Sequence, residues 1–389
     1  MKAILSVLIM ALLVISVMPM VLAVDVGTDI TPDIETEDFP PLIWLCDDRV
    51  VVDDRVESGR IDGQAVYDKD NNLKGYELIE RHHNYAFEGE KLEYTVLVMD
   101  KNGINKIEDV YMTLGDEQGE GNDIEVNCVE RLDLGDGVDE SCNARIDEEE
   151  IDDWNSQVMR YYECTFTVET ADSMYGEFWI TAEVTDLDGL SSTVDENEFW
   201  FLNPVIALSL IGDLTFSDVR PGTVSYSDTL LVGNDADEGS AVALDMFITG
   251  TDFYDSGSSG AMCPTTNQLQ LQGEGPDGTL GTDDDTGFRY YTVKGAYSTA
   301  GDDTVDDGDL PNARVLDAES YLNIQYANAF STNLYDEAEI LQDIAIGPYW
   351  IANILAPGEE FAITFKLTLP EPCNGDFDSG SLYFWGEAI

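Results

Sequence analysis

Glu90 to Met99 reads EKLEYTVLVM and runs into the turn Asp100-Lys101-Asn102-Gly103. Apolar and polar side chains alternate along it, the period of a strand that buries one face. Asn and Gly then supply the turn, because both tolerate the backbone angles that a tight reversal needs. The same reading extends to both sides. Ile43-Trp44-Leu45-Cys46 comes before it, and Val110–Leu114, Tyr161–Val168 (YYECTFTV), Phe178–Val184 (FWITAEV) and Glu198–Leu202 (EFWFL) come after. Asp186-Leu187-Asp188-Gly189 repeats the turn chemistry. Short alternating runs at regular spacing predict an antiparallel sandwich. One helix is expected, around Glu148 to Met159.

Asn203-Pro204 is the expected domain boundary, since a proline after a strand stops the ladder. Beyond it the pattern predicts strands at Val205–Ile211, Leu214–Phe216, Thr229–Val232, Val242–Ile248, Glu360–Leu369 (EFAITFKLTL) and Ser381–Trp385. The expected fold is therefore all-β, with two antiparallel β-sandwich domains. Residues 42–203 form the first, with an acidic insertion at 129–160. Residues 204–389 form the second, with acidic loops at 273–287 and 301–310.

Met1-Lys2, an apolar run from Ala3 to Val21 and the pair Leu22-Ala23 have the layout of a Sec-type signal peptide, residues 1–23, cut after Ala23. An uncleaved anchor is the competing reading. Residues 24–41 (VDVGTDITPDIETEDFPP) carry six acids, no base and three prolines, which predicts an extended leader. Its Val26, Ile30 and Ile34 suit either a strand lent to a neighbouring subunit or a loose mature N-terminus. An extracellular or cell-surface protein is expected.

The chain has 79 acidic against 18 basic residues, a formal charge of −61. That balance excludes nucleic acid and anionic lipid as electrostatic partners, because such binding rests on basic side chains meeting phosphate. Like charges at this density repel unless salt screens them or divalent cations sit among them. An acidic face that only keeps the protein soluble is the plainer alternative. Hydrophobic residues make up 43% of the chain, so it is not a disordered acidic tail. Six cysteines, an even number, fit an oxidising compartment. Their distribution predicts a bridge Cys263–Cys373. Cys46, Cys128, Cys142 and Cys164 allow three pairings, of which Cys128–Cys142 with Cys46–Cys164 is preferred here. The alternative of zinc has no Cys-x-x-Cys spacing to support it, and His82-His83 are adjacent.

Three resemblances add to this reading. Val184 to Ser192 (VTDLDGLSS) resembles the late strand and turn of PKD-type and related immunoglobulin-like domains, and Tyr94 to Gly103 an earlier strand of the same kind. Together they cover about residues 85–203 and imply an immunoglobulin-like sandwich. In the second half, Leu214-Thr215-Phe216, Val219, Pro221-Gly222 and Val232-Gly233-Asn234 resemble the sandwich of the TasA and camelysin group of matrix-fibre proteins. Acidic sandwiches of this type are similar to archaeal surface-layer and extracellular-filament subunits. Asp136-Gly137-Val138-Asp139-Glu140-Ser141-Cys142-Asn143-Ala144-Arg145-Ile146-Asp147-Glu148 resembles the metal-binding motif of MopE-type secreted proteins. Its spacing agrees throughout, with Asn143 where Asp and Ala144 where Gly is usual.

Ca²⁺ takes six to eight oxygens from a flexible loop, and Asp136, Asp139, Asn143, Asp147 and Glu148 are candidate ligands. The loop Gly275-Pro276-Asp277-Gly278 to Thr282-Asp283-Asp284-Asp285 resembles loops of calcium-rich secreted repeats, which implies Asp277, Asp283 and Asp285 as a second candidate set. The alternative for both is a solvated acidic loop. Catalytic motifs are missing: there is no Gly-x-Ser-x-Gly elbow, His-Glu-x-x-His helix or phosphate-binding glycine loop. The expectation is a non-enzymatic structural protein, a surface-layer or filament subunit with cation-stabilised acidic loops. Its partners would be copies of itself or other cell-surface proteins. A calcium-dependent adhesin or glycan-binding module is the alternative, and an extracellular hydrolase with paired carboxylates comes third.

Overall fold

The computed structural model describes residues 33–46, 50–53, 64–67, 73–78, 84–119, 122, 124–134, 137–143, 151, 153–194, 199–257, 260–265, 267–280, 282, 284–301, 314–327, 338–346 and 349–389. The expected signal peptide, leader residues 24–32, and His82 and His83 lie outside these. Residues 1–38 form a unit of their own, of which 33–38 are described, exposed and without a strand; Phe39–Ile389 form the second unit.

The protein is all-β. Its first half holds β1 (Leu42–Leu45), β2 (Val50–Asp53), β3 (Gln64–Tyr67), β4 (Leu73–Leu78), β5 (Tyr85–Ala86), β6 (Lys91–Met99), β7 (Ile107–Gly115), β8 (Ile124–Arg131), β9 (Met159–Thr167), β10 (Gly176–Asp186), β11 (Ser191–Val194) and β12 (Phe199–Leu202). Hydrogen bonding runs continuously in the order β3-β4-β2-β6-β9-β8-β7-β10-β12-β5, with β1 on β6 and β11 on β10. Strand β8 is the corner. Its residues 124–127 pair with β7 and 128–131 with β9, so one strand joins two layers. Alternation then explains the core. Leu92, Tyr94, Val96 and Val98 of β6 face Met112 and Leu114 of β7, Ile180, Ala182 and Val184 of β10, and Trp200 of β12. Tyr94 and Trp200 meet edge to face, with ring centroids 6.1 Å apart.

The second half adds β13 (Leu208–Ile211), β14 (Val224–Tyr226), β15 (Leu230–Asn234), β16 (Leu244–Gly250), β17 (Gln272–Gly273), β18 (Thr286–Lys294), β19 (Tyr297–Ser298), β20 (Leu322–Asn323), β21 (Gln325–Tyr326), β22 (Ala345–Ile346), β23 (Tyr349–Trp350), β24 (Ile354–Leu355), β25 (Glu360–Thr368) and β26 (Leu382–Ala388). One sheet runs β13-β15-β25-β18-β17, with β14 on β25 and β19 and β20 on β18. A second runs β21-β16-β24, with β26 on β16. Phe361, Ile363, Phe365 and Leu367 of β25, with Phe288 and Tyr290 of β18, pack on Leu244, Met246 and Ile248 of β16. Tyr85 and Phe201 are buried in this same cluster although they belong to the first half, and the Tyr85 hydroxyl donates to the Ile389 carbonyl.

Several expectations are corrected. The described part of the expected helix is not helical. Asn155 accepts from the Gln157 N–H at 3.0 Å, Trp154 stacks on Tyr161 at 5.3 Å, and Met159 already pairs with Met99 in the sheet. An Asn side chain that closes its own turn competes with helical bonding. Leu214 and Phe216 form no strand and instead lie as loop side chains against the core. The pairing of the first four cysteines also differs. Cys46 bonds Cys142 and Cys128 bonds Cys164, while Cys263 bonds Cys373 as expected. Cys128 and Cys164 are direct cross-strand partners on β8 and β9, so register rather than closeness in sequence chooses the pair. Residues 129–131 and 159–160 of the expected insertion are strand residues, which leaves 132–158 as the β8–β9 connection.

Candidate functional site

The densest assembly of charge among the described residues lies on the solvent side of the second sandwich. Tyr226 of β14, Lys366 of β25 and Arg289 of β18 are direct cross-strand partners in one row. Two cations facing each other across a ladder destabilise it. The sheet keeps them because carboxylates from two loops come down on the row. Lys366 donates to Asp317 at 2.8 Å and to Glu319 at 2.9 Å. Arg289 donates to the Thr282 carbonyl at 2.7 Å and pairs with Asp285 at 3.2 Å and Asp317 at 3.9 Å. Arg289, Asp317 and Lys366 are all buried. Asp317 also closes its own loop by accepting the N–H groups of Glu319 and Tyr321, both at 2.9 Å.

Three tyrosines frame the row. The Tyr321 ring lies 5.7 Å from both Tyr226 and Tyr291, and the Lys366 ammonium sits 5.6 Å from its centroid. The Tyr226 hydroxyl donates to Glu319 at 2.6 Å. That bond, then the one from Lys366, holds the Glu319 carboxyl below its ordinary value, and the same Tyr226 contact raises the phenol. Burial alone would lower Lys366, but its bonds to Asp317 and Glu319 raise it. The bonds from Tyr226 and Lys366 favour the charged form of Glu319, so the cluster is a charge clamp with an aromatic surface beside it.

The sequence reading missed this cluster because its arginine stands in β18 (TGFRYYTVK), whose alternation follows directly on an acidic loop. Of the expected cation ligands, Asp136, Asp147, Glu148 and Asp283 lie outside the described residues. Asp139 accepts from the Ser141 N–H at 2.9 Å and its hydroxyl at 2.8 Å, and Asn143 closes the short turn Glu140–Asn143. Tyr161 holds this loop, accepting from the Asp139 N–H and donating to the Gly137 carbonyl. Asp277 accepts from the Thr279 N–H at 2.9 Å. Asp285 takes its counter-charge from Arg289, which does not suit a cation ligand. Among the described residues no three His, Cys, Asp or Glu side chains converge to hold a metal ion, and no helix is long and apolar enough to cross a membrane.

A second buried carboxylate lies in the first sandwich. Tyr111 donates to Glu183 at 2.8 Å, and this bond, with burial and the Glu183 charge, pushes the phenol up to about 12. A raised phenol stabilises the fold fully below the unfolded value of about 10, and that stabilisation is lost as pH rises through the folded value. Tyr111→Phe is expected to cost about 1–2 kcal/mol at pH 7, since buried Glu183 loses its closest donor. It should also flatten the alkaline loss of stability between about pH 10 and 12. Urea unfolding at neutral and alkaline pH checks both; an unchanged alkaline slope would rule out this assignment.

No family model and no curated protein matches the chain. Among solved structures it is similar to the Streptococcus agalactiae AgI/II polypeptide BspA C-terminal domain, at 10% identity and a TM-score of 0.30, over 90% of this chain and 96% of that one. A further structure titled BspA_C_WT matches at 11% identity and a TM-score of 0.28, over 84% and 96%.

Proposed function

We propose that this is an exported, non-catalytic structural protein of a cell surface, a surface-layer or extracellular-filament subunit whose acidic faces are drawn together by cations. One observation carries the reading: a body of 79 acids against 18 bases is built as disulfide-bonded β-sandwiches. Two such bodies repel until divalent ions or salt lie between their carboxylates. Ca²⁺ at the loop 136–148 belongs to this proposal, with Asp139 and Asn143 as contributing residues. The test is light scattering of the exported chain. Millimolar calcium is expected to produce particles that chelator disperses; a chain that stays monomeric with calcium counts against the proposal.

The second reading, an adhesin or glycan-binding module, has its own support. Tyr226, Tyr291 and Tyr321 set aromatic faces beside the exposed carboxylate of Glu319, and rings bordered by hydrogen-bonding groups suit sugar faces. A glycan array that binds the chain but not Tyr226→Ala would favour it.

A further inference from the structure

Strand β13 ends its sheet and pairs, among the described residues, with β15 alone. The stretch around it, Val205 to Ile211, reads VIALSLI and lies within 14 uncharged residues, 199–212, of a chain that is 25% charged. Val205, Ile206, Leu210 and Ile211 are 53%, 43%, 58% and 60% exposed. Leu210 is the telling one. Its cross-strand partner is Val232, which is fully buried, so Leu210 stands on the inner face of the sheet where the core has run out of cover. Edge strands are ordinarily blunted by charge, proline or a covering loop; this one carries none of the first two along its length.

The hydrogen bonding sets a register. The carbonyls of Val205 and Ala207 accept from the N–H groups of Asp237 and Asp235, just beyond β15, so these odd-numbered residues face the β15 side. By alternation the N–H and C=O groups of Ile206, Leu208 and Leu210 face the open edge. We infer that this edge pairs with the same edge of a second copy, antiparallel, about a two-fold axis at Leu208. Ile206 then faces Leu210 of the other copy and Leu208 faces Leu208, through about six backbone hydrogen bonds. Val205 comes opposite Ile211 and Ala207 opposite Ser209, so each of the four exposed apolar side chains meets another. A two-fold contact needs such a self-complementary strip. Charge permits this occupant, because residues 199–212 carry no carboxylate and the two paired segments therefore set none of their own against another. The inference rests on the reading of the chain as an assembling protein, and it names the first contact.

Sedimentation equilibrium of the exported chain tests it in chelator and about 1 M NaCl, where the Debye length is about 3 Å. A dimer is expected there. Ile206→Lys/Leu210→Lys should weaken it by on the order of 100-fold, because paired strands would then oppose buried lysines. Both sites are exposed, so an unchanged circular dichroism spectrum is expected; Ile206→Lys alone, outside the assigned strand, serves if the pair disturbs folding. A monomer in the wild type, a lysine variant that dimerises as well as the parent, or a dimer lost on removing residues 24–38 each overturns the contact. A wild type that is monomeric in chelator yet forms calcium-dependent particles would leave the assembly proposal standing while the strand contact falls. Dimers in chelator that calcium does not enlarge would do the reverse.

Discussion

Replacing Cys263 and Cys373 together with serine is expected to lower the unfolding free energy by about 4–5 kcal/mol. The bridge closes a span of 110 residues, and the entropy it removes from the unfolded chain grows with the logarithm of that span. The folded ends stay aligned without it. Met262 and Asn374 exchange backbone bonds of 2.9 and 2.7 Å, and Asp378 accepts both the N–H and the hydroxyl of Ser256. The loss therefore acts mainly on the unfolded state. The same change at Cys128 and Cys164, 36 residues apart, should cost less, about 4 kcal/mol. Denaturant unfolding of both variants gives the ranking. If the shorter loop proves the costlier, strain or lost packing governs instead of chain entropy.

Asp317→Asn is expected to cost about 1.5–3 kcal/mol, the range for a hydrogen bond to a charged group, because Lys366 keeps Glu319 and Arg289 keeps Asp285. The substitution is chosen because asparagine keeps the oxygen that accepts the Glu319 and Tyr321 N–H groups, so the loop stays closed. What it removes is the negative charge between Lys366 and Arg289, which face each other across β25 and β18. Adding Lys366→Met takes away one of the two facing cations, which after the first change keep only Glu319 and Asp285 as counter-charges. The double variant should then be less destabilised than the sum of the single changes by at least about 1 kcal/mol. A double-mutant cycle read by urea unfolding measures this. Additive losses would mean that the row is solvated and Asp317 does not act as its counter-charge.

Strand identity was largely legible in the residues, because a half-buried strand must alternate. EKLEYTVLVM became β6 and EFAITFKLTL became β25 with little change of bounds. Leu214–Phe216 misled because an apolar triplet packs equally well from a loop. The stretch 148–159 misled because helical composition near Trp154 yielded to an Asn turn and a tyrosine stack. Cysteine pairing was the larger miss. Cys142 is nearer to Cys128 in sequence, yet Cys164 stands across from Cys128 in the sheet.

Composition and alternation by themselves determined an all-β, acidic chain with cysteines in even number, since those properties follow from side-chain chemistry and the two-residue period. Only the tertiary structure decided which cysteines meet, that Asp285 answers Arg289, and that Leu210 stands uncovered at the end of a sheet. The reason is physical. Each of these depends on which strands lie side by side, and strand order is set by packing between segments tens to hundreds of residues apart.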